Sequence, residues 1–156
     1  MGILTAAMQE AVPHIGLCFV ATATLNGKPN VSPKGSLCVL DDDHLGFADI
    51  ASPDTMRNLE ANPIVEISTI DQMSRKGYLF SGQAEILKAG PIYDKVAETI
   101  WAREGRDAPV HAVVKVKVTL ARPVLSPAYT LHKDAKEEDV KAIFLKRYGY
   151  VQIDKT

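Results

Sequence analysis

Two stretches of this chain carry residue types suited to holding an anion: Ser32-Pro33-Lys34-Gly35-Ser36 and Ala48-Asp49-Ile50-Ala51-Ser52-Pro53-Asp54-Thr55-Met56-Arg57-Asn58. The first offers a cation, a flexible backbone and a hydroxyl. The second offers hydroxyls, an arginine and the free N–H groups of a helix start, and donors of this kind suit a phosphate. Taken one at a time, the same residues also read as a tight turn followed by a capped helix. Other chemistry is poorly represented. There is no GxSxG, HExxH, Walker loop or GxGxxG, and no pair of histidines at metal-ligand spacing. His14, His44, His111 and His132 are scattered over a loop, a turn, a strand start and a linker, and read as surface or satisfied side chains. A metal enzyme and a triad hydrolase are therefore disfavoured, and no metal site is expected.

Composition sets the frame for those segments. The chain has 156 residues, 46% hydrophobic and 24% charged, with a net charge of -1 and no long block of either sign. That balance fits one globular domain over residues 1–156, large enough to bury a core without staples. It gives no broad electrostatic grip on nucleic acid or anionic lipid. Cys18 and Cys38 lie in apolar stretches without CxxC spacing and read as core residues. The first twelve residues lack a basic, uniformly apolar leader, and no apolar run approaches the ~20 residues that span a bilayer. The expected location is cytoplasmic, with no membrane or nucleic-acid partner.

The elements that must position the two segments follow from periodicity. Residues 3–12 predict a short helix ended by Pro13. Leu17 to Leu25 predicts a strand running into Asn26-Gly27, a two-residue hairpin turn. A return strand from Pro29 to about Ser32 breaks at Pro33-Lys34-Gly35. Strands at 36–40 and 45–49 follow, separated by three aspartates. Ser52-Pro53-Asp54 predicts a helix start with Ser52 as cap, and that helix ends near Asn62-Pro63. Ile64 to Ile70 alternates as a strand, and Gly77 to Leu87 is a second one bending at Gly82. Pro91 opens a helix to about Gly105. Val114, Val116, Val118 and Leu120 alternate with polar residues in the clearest strand of the chain. A last helix over 135–148 has acids in its first turn and bases in its last, with Val140, Ile143, Phe144 and Arg147 as its inward stripe. Six or seven hairpin-linked strands with inserted helices argue for a mainly β chain, a small antiparallel barrel with peripheral α-helices, and against a doubly wound parallel sheet.

The order "ATATLNGKPNVSPKGS", "LGFADIASPDTMRNLEANPIVEIS" and "RKGYLFSGQAEIL" resembles the pyridoxamine 5'-phosphate oxidase-like family of FMN-binding split barrels, over about Leu17 to Leu87. The ending "ARPVLSPAY" before a final helix, a helical extension at about 134–149, is similar to uncharacterised members. The resemblance implies one FMN-binding split-barrel domain whose cofactor lies at the interface of a homodimer. On that basis Pro33, Lys34, Gly35 and Ser36 run past the flavin ring and ribityl chain, Ala48 and Asp49 line the cofactor, and Gln83 reaches the polar edge of the ring. Backbone amides would bond the flavin carbonyl and ring nitrogens while apolar strand residues exclude water.

Two departures from the family pattern shape the expectation. Asp54 stands where a basic residue commonly serves the FMN phosphate, and a carboxylate there repels a dianion. Lys34 and Arg57, with Thr55 and Ser52 as neutral donors, are the candidate compensation, and Arg57 is the candidate phosphate partner; its alternative is a solvated residue pairing with Glu60 or Glu66. The ending "FLKRYGYVQIDKT" does not reproduce the Arg- and His-containing substrate motif of true pyridoxamine phosphate oxidases, so vitamin B6 oxidation is disfavoured. The resulting expectation is an FMN-dependent oxidoreductase acting on a small molecule. The alternatives are a dimeric barrel that binds flavin or another small ligand without turnover, and an interaction domain with a vestigial cleft. No catalytic acid or base is assigned.

Overall fold

The computed structural model describes residues 2–131 and 134–150. His132 and the chain from 151 onward lie outside them. Strands β1 (Cys18–Ala23), β2 (Pro29–Lys34), β3 (Cys38–Val39), β4 (His44–Asp49), β5 (Ile64–Ile70), β6 (Lys76–Leu87) and β7 (Ala112–Leu125) form one antiparallel sheet in the order β2-β1-β5-β6-β7-β4-β3. Helices α1 (Ala6–Ile15), α2 (Pro53–Ala61), α3 (Pro91–Glu104), α4 (Ala128–Leu131) and α5 (Glu137–Tyr148) surround it. The sheet curls into a split barrel, the split lying between β2 and β3, which do not pair. Its edges are therefore not removed by closure. They are kept short at β3 and interrupted by Pro29 and Pro33 at β2.

Curling has a local cause in the two long strands. The β6–β7 register shifts between Ser81 and Gly82: Ser81 faces Leu120 while Gly82 faces Val118, leaving Thr119 as the extra residue of a bulge. A Cβ on Gly82 would meet the Lys117 carbonyl oxygen at 2.5 Å, so only glycine lets the backbones cross this closely. The alternating inward residues Val20, Leu45, Phe47, Val65, Ile67, Phe80, Val114, Val116 and Val118 are buried inside the curl. Met8 and Val12 of α1 and Leu59 of α2 close its ends. A second cluster lies outside, where Val96 and Ile100 of α3 cover Ala48 and Val113.

Several local expectations change. Helix α1 continues through Pro13, whose ring removes one N–H but leaves the last turn intact, and stops at Gly16 in the left-handed region (φ 67°). The first hairpin is not a two-residue turn. Only Gly27 has positive φ, the Thr24 N–H donates to the Lys28 carbonyl and the Gly27 N–H to the Thr24 carbonyl, so three residues form the loop. Strand β2 runs on through Pro33 to Lys34, because an edge strand tolerates a missing donor. In α5 Val140 is buried, but Ile143 is 55% exposed and Arg147 is exposed, so the inward stripe is narrower than its spacing predicts.

Helix α5 is tied to the sheet by charge rather than by apolar area. Glu137 accepts from Lys76 Nζ at 2.8 Å and from Lys141 Nζ at 2.6 Å. Hydrogen bonds from these two ammonium groups hold its carboxyl down to about 2, from a usual 4.5. A carboxyl depressed by folding adds stability above its ordinary value, and that stability is lost as pH falls toward the folded value. Acidification from pH 5 to pH 2.5 is expected to increase hydrogen exchange and proteolysis within α5 before the sheet opens. Glu137→Gln should show the loosened α5 already at pH 7. Unchanged protection of α5 over that range would remove the tether.

Candidate functional site

The turn between β4 and α2 is built by Asp49. Its Oδ1 accepts from the Ser52 backbone N–H at 3.2 Å and from the Ser52 hydroxyl at 2.8 Å. Such a carboxylate-bonded turn competes with helix capping. Ser52 accordingly makes no side-chain cap to α2, in contrast to the expectation from its sequence position, while Pro53 does occupy the first turn as expected. The free side of the Ser52 hydroxyl accepts from Lys34 Nζ across the barrel end. Lys34, Asp49 and Ser52 are each more than nine-tenths buried, so a cation and a carboxylate share one buried hydroxyl. The Phe47 ring adds a cation–π contact with its centroid 5.6 Å from Nζ. Burial pushes the Lys34 ammonium below its ordinary value, and the Asp49 carboxylate opposes that fall. Cys18, beside it in the core, is pushed up by burial to about 12 and is an inert thiol.

Lys34 reaches the floor of a cleft of about 180 Å³ where the two anticipated segments meet. One wall is Ser32 to Ser36, and the other is Ala48, Ile50 and Ala51. The Ser36 hydroxyl accepts from the Ala48 N–H at 3.0 Å and pins the walls together. Arg103, in the last turn of α3, completes the lining, and its guanidinium donates to the Gly35 carbonyl at 3.1 Å. Sequence reasoning missed Arg103. As a basic residue in a last helical turn it complements the dipole, and its 68-residue separation from Gly35 leaves no local signal.

The remaining anticipated residues lie elsewhere. Thr55 is buried and accepts from Asn30 at 3.1 Å, in a polar cluster where Asn30 and Asn58 both donate to Thr22. That cluster clamps α2 onto β1 and β2. Thr22, a polar residue at an inward position of the otherwise apolar β1, was the available signal, which periodicity alone passed over. Arg57 is exposed and pairs at 2.6 Å with Asp54, rather than with Glu60 or Glu66. Both line a separate cleft of about 130 Å³ with Lys28 and Asn30. Asp54 thus turns away from the Lys34 cleft. Gln83 is exposed on β6, opposite Ile64 and Lys117, in a third cleft with His44 and Lys115. Trp101 donates to the Ala108 carbonyl and Tyr129 to the Ser74 carbonyl, so neither faces the Lys34 cleft. Among the described residues no cluster of metal-ligating side chains occurs, and no helix is long and apolar enough to cross a membrane.

Comparison with known proteins agrees with this architecture. An uncharacterized protein of Methanocaldococcus jannaschii is 31% identical over 105 residues, 66% of this chain and 69% of the relative. The crystal structure of HupZ from Group A Streptococcus is 30% identical, covers 78% of this chain and 94% of that one, and superposes with a TM-score of 0.70. An FMN-binding protein of Syntrophomonas wolfei shares the fold at 16% identity, with a TM-score of 0.67 and coverage of 77% and 86%. HutZ, a heme storage protein of Vibrio cholerae, shares it at 19% identity, with a TM-score of 0.61 and coverage of 80% and 95%. At those last two identities the likeness is one of fold, and one fold here carries different ligands. The profile of the pyridoxamine 5'-phosphate oxidase family matches residues 4–125, which takes in the whole sheet and both walls of the cleft. The strand order, the split and the extent of that match together make this chain a member of the pyridoxamine 5'-phosphate oxidase family.

Proposed function

We propose that the protein binds FMN in the Lys34 cleft, as a homodimer, and serves as a flavin-dependent oxidoreductase for a small molecule. The observation that carries this reading is the donor set of the cleft: the Lys34 ammonium, the Ser32 and Ser36 hydroxyls and the Arg103 guanidinium, whose Nε pairs with Glu104 at 2.7 Å outside the lining. Asp49 is kept off it by the Ser52 hydroxyl. Such a set fits an anionic cofactor rich in hydrogen-bond acceptors. Bound FMN would supply the electron transfer. Pro33, Gly35 and Ala48 let its body approach the backbone, and Lys34 and Ser36 orient its polar atoms. Asp49, Ser52 and Thr55 act one step back, by holding Lys34 and α2 in place.

Size and surface support a second copy. A volume of 180 Å³ is below the roughly 300–1,000 Å³ usual for a complete small-molecule site, so one chain holds only part of such a cofactor. The outward sheet face carries exposed apolar side chains, Phe19 (49% exposed), Val31 (60%), Ile64 (53%) and Leu120 (49%), interleaved with the polar Glu66, Ser68, Ser81 and Gln83. A self-complementary face of that kind suits a two-fold dimer. Arg57 and Gln83 line other clefts of their own chain, so in this reading they serve the cofactor from the neighbouring copy.

A non-catalytic flavin or small-ligand carrier is the second reading, favoured by one observation: the lining holds no histidine, cysteine or carboxylate to act as a general acid or base. The purified protein is expected to be yellow, to release FMN on denaturation and to scatter light as a dimer. Arg103→Ala is expected to weaken FMN by about tenfold or more, a typical loss for a charge-assisted contact. Arg57→Ala tests the earlier candidate in the same titration. Colourless protein that takes up no added FMN would end the oxidoreductase and the flavin-carrier readings alike. Bleaching by NADH or NADPH with recovery in air would select the enzyme over the carrier.

A further inference from the structure

We propose that the groove between the β5–β6 turn, the end of β7 and helix α5 is a second binding site, for an organic anion with an apolar body and a carboxylate or phosphate head. The groove measures about 390 Å³ and shares no residue with the Lys34 cleft. Its apolar lining includes Ile70, Leu125, Pro127 and Phe144, and its charged lining is Arg75 and Arg147. Among the described residues no carboxylate lines it, and none lies within 4 Å of either guanidinium as an ion-pair partner.

Both cations are arranged around one ring. The Arg75 guanidinium carbon lies 3.9 Å from the Phe144 centroid and that of Arg147 lies 5.0 Å away. Arg75 is held there by its backbone. It adopts a left-handed φ of 58°, its N–H donates to the Asp71 carbonyl at 2.9 Å, and its carbonyl accepts from Ser126 at 3.0 Å. A non-glycine residue in that region carries strain, which surrounding structure must hold.

The guanidinium of Arg75 is also short of acceptors. Its side chain donates to the Tyr148 hydroxyl and to no other described residue, and its Nε is buried without a partner. A guanidinium with so few acceptors has N–H groups left to bond an anion placed in the groove. Two guanidinium groups over an aromatic face, without a carboxylate partner among the described residues and with aliphatic walls, match a head-and-body anion better than a bare inorganic ion or a neutral apolar molecule. The volume falls within the range of small-molecule sites.

Calorimetric titration of the full chain with 1-naphthoate, the neutral 1-naphthalenemethanol and inorganic phosphate tests this. Naphthoate is expected to bind about tenfold or more tightly than either comparison compound. Arg147→Gln, at an exposed position where folding is undisturbed, should weaken it by about tenfold, and Arg75→Gln with Arg147→Gln should abolish it. Arg106→Gln, which removes a guanidinium stacked elsewhere on Trp101, and Arg103→Gln should leave it unchanged. Equal binding of the alcohol would mean an apolar crevice only, equal binding of phosphate a nonspecific cation pair, and indifference to Arg147→Gln a different location. Each of those results, or absence of naphthoate binding, overturns the proposal. FMN content is read separately in the same samples, so the fate of the Lys34 cleft does not decide this one.

Discussion

Lys34→Met is expected to lower the unfolding free energy by about 1–3 kcal/mol, because it leaves the Ser52 hydroxyl without its donor and the buried Asp49 carboxylate, which Lys34 meets only through that hydroxyl, without a nearby cation. Methionine keeps the length and apolar stem of the lysine, so the loss reports charge rather than a cavity. The Lys34→Met, Asp49→Asn double variant removes both charges and should recover more than half of that loss. Urea unfolding of the two singles and the double measures the coupling directly. Strict additivity would mean that the two groups do not depend on each other. The same double variant separates stability from binding: it should fold well and still bind FMN weakly, since the cleft has lost its floor cation. Normal FMN affinity in that well-folded variant would remove Lys34 from the cofactor site.

Gly77→Ala is expected to cost about 3 kcal/mol or more, and to prevent accumulation of folded protein near 37 °C if overall stability is ordinary. A Cβ there would stand 1.9 Å from the Thr69 carbonyl oxygen and 2.7 Å from the Ile70 Cα. Both are backbone atoms in the β5–β6 ladder, where Gly77 faces Ile70, so relief requires parting the two strands. Gly27→Ala is the control. Its φ of 80° makes alanine strained, but nothing lies within 4 Å of the added carbon, and about 1–2 kcal/mol is expected. Thermal melts of the two variants should differ clearly, with Gly77→Ala far the lower. Equal melting points would show that backbone crossing at Gly77 does not limit the fold.

These two positions also divide what sequence could and could not reveal. Strand β5 was legible to the residue, because Val65, Ile67 and Thr69 alternate against exposed Glu66 and half-buried Ser68 and burial follows that alternation. The bend at Gly82 was legible for a similar reason, since an isolated glycine inside a strand marks a bulge or a close crossing, and here it marks both. Gly77 carried no comparable sign. It opens a strand in the sequence, and only the partner strand makes its missing side chain indispensable.

The residues themselves determined that this chain is a mainly antiparallel β protein with peripheral helices, and that its anion-binding types cluster in two segments at strand ends. Period-2 burial and turn chemistry are local properties, and they survive any arrangement of the strands. What only the tertiary structure decided is which of those types meet. Lys34, Asp49 and Ser52 converge because β2 and the β4–α2 turn lie at one end of the curl, although they sit at opposite ends of the sheet order. Arg57 and Gln83, equally plausible by type, face other clefts, while Arg103 arrives from α3. Side-chain direction across a curled sheet depends on register, bulges and helix packing, which are long-range quantities with no signature in a local window of sequence.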